Sequence, residues 1–183
     1  MRNTNLFLLS LYCYVITIVF FGCKKPEKQD DVYKGTATAI KNDMNWNAEC
    51  TSIISSTNPN VIYLYIDRYN NSQERREAFV VSKIEMKTGV FTIVNGLGVM
   101  PKPYYSSHYS SFVADGDAID GDYFVLDPDS NYIEIIRLDL NTKDIVGRFN
   151  ITFVKDTTFN VNPNLPDTIR FTAGEFQTKI QEN

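Results

Sequence analysis

One histidine and three cysteines among 183 residues leave the chain little metal or thiol chemistry. His108 alone cannot build a histidine zinc cluster. Cys13 and Cys23 sit within and just after the first apolar run, so Cys50 is the one thiol in the body of the chain. That body can form no internal disulfide, and neither His nor Asp adjoins Cys50 to activate it. A small apolar group in a buried strand is expected there. Positive charge is also scarce: Lys+Arg is 18 against Asp+Glu 22, a net charge of -4, so no nucleic-acid partner is expected. Nine glycines and seven prolines exclude collagen-like and low-complexity architectures. Gly96-Leu97-Gly98 lacks the further glycines and the helix of a phosphate-cradling loop. No window sustains a 3.6-residue period.

What is present begins with one apolar run, Leu6 to Phe21, preceded by Arg2 and closed by Gly22-Cys23-Lys24-Lys25. It falls short of the ~20 residues of a usual membrane-spanning helix and matches the length of a secretory apolar region. A small residue before a cysteine suits lipoprotein processing, in which the thiol is diacylated before cleavage. Phe20 and Phe21 are bulkier than usual there, which resembles the looser lipoprotein signals of Bacteroidetes. The reading is a signal peptide over 1–22, with an uncleaved anchor or an ordinary signal peptide as alternatives. Residues 23–34 then comprise the lipidated Cys23 and a flexible polar tether. On this reading the protein is expected in the cell envelope, on the outer membrane, attached through lipid. Asp30 and Asp31 follow three lysines, which leaves inner against outer leaflet open.

From residue 35 the period is two. Thr36–Ile40, Trp46–Ile54, Val61–Arg68, Ala78–Ile84, Val90–Val94, Tyr132–Leu140, Ile145–Val154 and Thr168–Ile180 read as strands. Asn42-Asp43, Asn58-Pro59-Asn60, Lys87-Thr88-Gly89 and Asn141–Asp144 read as turns or breaks. Residues 95–129, dense in Gly, Pro, Ser and Asp, predict long loops around short strands near Ser110–Ala114 and Tyr123–Leu126. A short helical turn is expected near Ser72–Arg76, and a bulge or bend at Gly174. The fold class is therefore all-β, an antiparallel β-sandwich or partly closed β-barrel of about nine to ten strands in a single domain over 35–183.

Three short motifs stand out: Trp46-x-Ala48, Gly147-x-Phe149 and Gly174-x-Phe176. With their flanking text, TATAIKNDMNWNAE and IEIIRLDLNTKDIVGRFNITFV, they resemble a family of uncharacterised Bacteroidetes lipoproteins, a domain of unknown function. The resemblance covers about two thirds of the domain; residues 100–129 are longer and more aromatic than the family pattern. It implies a sandwich-like or barrel-like lipoprotein and brings no activity or catalytic residues. Read physically, Trp46 anchors the core, while Gly147 and Gly174 admit a close neighbour or let the sheet bend.

Two groups are candidate sites. Tyr104, Tyr105, His108, Tyr109 and Phe112 lie in one stretch and suit a stacking platform for a glycan or an envelope protein; the alternative is rings folded inward. Asp127-x-Asp129-x-Asn131 copies the opening of a calcium loop, but Tyr132 stands where the turn glycine belongs and the closing Glu is missing. Turns with solvated acids, among them Asp115, Asp117, Asp120 and Asp122, are the alternative to a structural calcium; no other cofactor is expected. Serines 106, 107, 110 and 111 surround His108 without a nucleophile elbow, and nothing marks Glu85 or Glu134 as a protonated acid. The expectation is a non-enzymatic binding or accessory module. The alternatives are an assembly subunit that works by strand addition and a secreted glycan hydrolase with an acidic pair. Oligomeric state is left open.

Overall fold

The computed structural model describes residues 32–94, 105–125, 130–159 and 162–182. The signal sequence, Cys23, Gly96-Leu97-Gly98, Tyr104, Asp127 and Asp129 lie outside the described residues. Ten strands follow in order: β1 (Gly35–Lys41), β2 (Met44–Ser55), β3 (Asn58–Tyr69), β4 (Arg75–Glu85), β5 (Gly89–Val94), β6 (Tyr105–Phe112), β7 (Ile119–Val125), β8 (Tyr132–Asp139), β9 (Asp144–Lys155) and β10 (Thr168–Gln181). The fold is all-β, as the two-residue period predicts. The helical turn expected at 72–76 is instead a non-helical turn running into β4, stitched by Asn70 Oδ1 accepting from the Ser72 and Glu74 amides. The one helical turn among the described residues is a 3-10 turn at Thr157–Phe159.

Nine strands hydrogen-bond in a ring, β1-β2-β3-β4-β6-β5-β8-β9-β10 and back to β1, while β7 spans from β6 to β9. Directions cannot alternate all the way around an odd ring. One pairing must therefore be parallel, and β5–β6 is that pairing, over Ile93↔Tyr105 and Val94↔Ser106. The same parity governs β1, β2 and β10. β1 is short, so its two antiparallel neighbours run past it and meet in parallel at Ser52↔Ile180 and Ile53↔Gln181. The sheet is thus mixed, with antiparallel pairing everywhere else.

Alternation fills the ring. Trp46, Phe79, Tyr109, Tyr123, Phe149, Phe153 and Phe171 are all buried, with Phe171 4.8 Å from Trp46, 5.4 Å from Phe79 and 5.7 Å from Tyr109, centroid to centroid. Asn42 and Asp43, both at positive φ (45° and 65°), form the tight two-residue turn between β1 and β2. The two Gly-x-Phe motifs prove to be one device. β9 and β10 pair Phe149 with Gly174 and Gly147 with Phe176, so each phenyl ring lies over the other strand's glycine. A Cβ on Gly174 would come 2.4 Å from the Phe149 ring, and one on Gly147 would come 2.5 Å from the Phe176 ring. The expected irregularity at Gly174 is a register shift between Phe171 and Gly174, with Ala173 at φ 49°.

Candidate functional site

The end of the ring where β1 stops and β2 starts carries a cleft of about 650 Å³. Strand period explains its lining. Lys41 ends the β1 face begun by Ala37 and Ala39; Arg68 lies beyond Ile66 near the end of β3; Glu77 precedes Phe79 and Val81 on the inner face of β4. Three charged side chains thus occupy places at the ends of apolar faces, where the core gives way to solvent. Arg68 and Glu77 are direct cross-strand partners.

Glu77 is the centre. Its Oε2 accepts from Lys41 Nζ and from Trp46 Nε1, both at 2.8 Å, and its Oε1 accepts from Arg68 Nη1 at 2.8 Å. The Glu77 side chain is 10% exposed and that of Lys41 17%, whereas Arg68 remains 48% exposed. Burial alone would raise the Glu77 carboxyl, but the Lys41 ammonium, the Lys41 and Trp46 hydrogen bonds and Arg68 together hold it below the usual carboxylate range. Lys41 also donates to the Tyr109 hydroxyl at 2.8 Å and lies 5.1 Å above that ring. Burial, then the charge of Glu77, pushes the Tyr109 phenol well up, so it stays neutral. An ionised carboxylate saturated by three donors stabilises and orients; it has no proton to give.

One wall of the cleft is held from below. Tyr123 Oη donates to the Pro166 carbonyl at 3.0 Å and Lys155 Nζ to the Leu165 carbonyl at 2.8 Å. Gly121 leaves room for Leu165, whose Cδ1 would lie 2.4 Å from an added Cβ. Arg76 lines the cleft too, its Nη1 donating to the Val113 carbonyl at 2.7 Å, and Asp120 accepts from Asn162 Nδ2 at 3.2 Å.

The aromatic group read from sequence is divided by its strand. Tyr105, His108, Tyr109 and Phe112 fall on β6, further toward the N-terminus than the short strand expected at 110–114. Tyr109 points into the core, and its alternating neighbour His108 points out. Tyr105 donates to Glu85 Oε1 at 2.9 Å near the opposite end, its phenol pushed up to about 12 by burial and by Glu85. Phe112 lies under the Arg75 guanidinium at 5.1 Å. Among the described residues no single face presents these rings together. Of the calcium-like triplet, Asn131 is described: it is buried, and its Oδ1 accepts from the Thr152 amide at 2.6 Å. Among the described residues no three His, Cys, Asp or Glu side chains cluster to hold a metal ion. Acids elsewhere are engaged locally. Asp115 and Asp117 sit together in an exposed turn, their interaction lowering the first carboxyl and raising the second, and Glu134 accepts from Arg148 Nε at 2.5 Å.

His108, Ser110 and Asp122 do meet, on the outer face of β6 and β7. His108 Nε2 is 2.5 Å from Asp122 Oδ1 and 3.2 Å from Ser110 Oγ, and Ser110 donates to the same Asp122 oxygen at 2.9 Å. A hydrolase triad needs the imidazole between the other two, one nitrogen to each. Here one nitrogen faces both, and the serine proton already goes to the carboxylate.

Comparison with known proteins yields no match to a family model, a curated protein or a solved structure.

Proposed function

We propose that the protein is a lipid-anchored component of the cell envelope, of the Bacteroidetes lipoprotein type, and that its β domain is a non-enzymatic binding module with the Glu77 cleft as its ligand site. The Glu77 cleft carries the reading: a concave site whose polar groups are fixed before any ligand arrives. The saturated state of Glu77 and the arrangement of His108, Ser110 and Asp122 favour binding over hydrolysis. Each described strand has a hydrogen-bonded neighbour on both sides, which leaves strand addition little edge to use. Anchorage rests on Gly22-Cys23 after the apolar run.

Anchorage is tested by labelling cells with palmitate. Wild-type chain takes the label, and Cys23→Ala accumulates unlabelled at precursor size; undiminished labelling of the variant overturns the anchor. Binding has a built-in reporter, because Trp46 is the sole tryptophan and donates to Glu77 at the floor of the cleft. A hydrolysate of bacterial cell-wall polysaccharide is expected to change Trp46 emission saturably, with no new reducing ends formed. An unchanged spectrum counts against the binding module. New reducing ends that vanish in Glu77→Gln would establish the hydrolase instead.

A further inference from the structure

We infer that the cleft selects an oxyanion, the carboxylate or phosphate of a small organic ligand, and seats it on Arg68 and Arg76. This rests on the cleft being a binding site and goes beyond that reading in naming the chemistry that it selects.

Two observations carry it. The first is charge. The chain as a whole is at -4, yet the cleft is lined by three cationic side chains, Lys41, Arg68 and Arg76, against two carboxylates, Glu77 and Asp120. Both carboxylates are already engaged, Glu77 by three donors and Asp120 by Asn162. Asn162 is neutral, so Asp120 keeps its charge, and the lining nets one positive charge on an acidic chain. The second is donor accounting. A guanidinium has five N–H donors in a planar fork. Among the described residues Arg68 spends one on Glu77 and Arg76 spends one on the Val113 carbonyl. Each single bond ties its side chain to the cleft wall and, among the described residues, leaves the other donors unspent. The exposed Asp115 lies near enough to feel the Arg76 charge.

Held guanidinium forks are suited to a planar carboxylate or a phosphate, since bidentate charge-assisted bonds form without much further loss of side-chain freedom. Lys41 contributes differently. Its ammonium is bound to Glu77 and Tyr109, so it sets the potential of the floor and leaves the contact to the arginines. A neutral ligand of the same size would leave the arginine donors hydrated and gain nothing from that potential.

The test uses the full chain in mild detergent, with Trp46 fluorescence and melting temperature as readouts. Galacturonate supplies a carboxylate and glucose 6-phosphate a phosphate; galactose and glucose are the neutral counterparts. At least one acid should bind saturably and at least about tenfold more tightly than its neutral counterpart, the scale of a charge-assisted contact. Arg68→Gln and Arg76→Gln should each remove about that advantage, while Arg148→Gln, paired with Glu134 away from the cleft, should not. Two variants are used so that a folding defect in one leaves the other informative. Galacturonate alone binding assigns the carboxylate, and glucose 6-phosphate alone the phosphate. Neutral sugars that bind as well as the acids, unaffected by either substitution, overturn the oxyanion and leave the binding module standing. No response to either acid at tens of millimolar overturns it as well; a response to the cell-wall hydrolysate then still upholds the module.

Discussion

Glu77 shows how one residue can set the character of a site. A buried carboxylate is costly unless paired, and here three donors pair it. Replacing it by glutamine keeps the shape and strands two cations. Glu77→Gln should lower stability by about 2–4 kcal/mol at pH 7, within or a little below the range for breaking a buried pair, because Arg68 still reaches water. The pH dependence follows from the direction of the shift. The folded carboxyl sits below its ordinary value of 4.5, so its contribution is complete above that pH and fades as pH falls through the folded value. Denaturant titrations of wild type and variant should therefore differ by a constant amount from pH 7 down to about 5 and converge in stronger acid. A gap that persists unchanged to pH 2 would show that charge pairing is not what the substitution removes.

Between β9 and β10 the unit of stability is a pair of elements. Each Gly-x-Phe motif alone looks like a flexible point in a strand, yet the register makes the glycines sockets for each other's rings. Gly174→Ala should destabilise by about 1–3 kcal/mol, the usual scale of overpacking, and Phe149→Leu in the same chain should recover part of that loss. Chemical denaturation of the three variants decides it: additive losses would mean that glycine and ring do not share one space. Much of this level was legible in the sequence. Hydrophobic alternation located most strands, and the motif glycines could be read as close-approach positions. The cleft was not legible, because Lys41, Arg68 and Glu77 are far apart in sequence and converge through the closing of the ring. Carrying each strand's inner face one more step would have placed all three inside. β6 escapes the sequence pattern for a different reason. Its serines, histidine and tyrosines resemble loop composition, yet β4 and β7 flank it and supply its backbone partners.

Ring closure fixes how the whole molecule can be presented. β1 runs from Gly35 at one end to Lys41 at the cleft, a span of about 20 Å at strand rise. The described chain therefore enters at the end away from the cleft, where Gln181 clasps the Tyr33 backbone through Nε2 to its carbonyl at 2.9 Å and Oε1 from its amide at 3.0 Å. If Cys23 bears lipid, the tether joins the domain at the clasped end, and that end is expected to lie nearer the bilayer than the cleft. Single labels can measure this, since Cys50 is buried and its thiol pushed far up by burial, which keeps it inert. A bimane on Met44→Cys sits at the cleft rim, where Met44 is 69% exposed, and one on Val32→Cys sits at the entry end, where Val32 is 52% exposed. In vesicles carrying the lipidated protein, a quencher on the lipid headgroup should dim the Val32 label several-fold more than the Met44 label, while aqueous iodide quenches both. Equal quenching by the headgroup probe would mean that the domain lies along the membrane, and the outward cleft would then have to be given up even with the lipid in place.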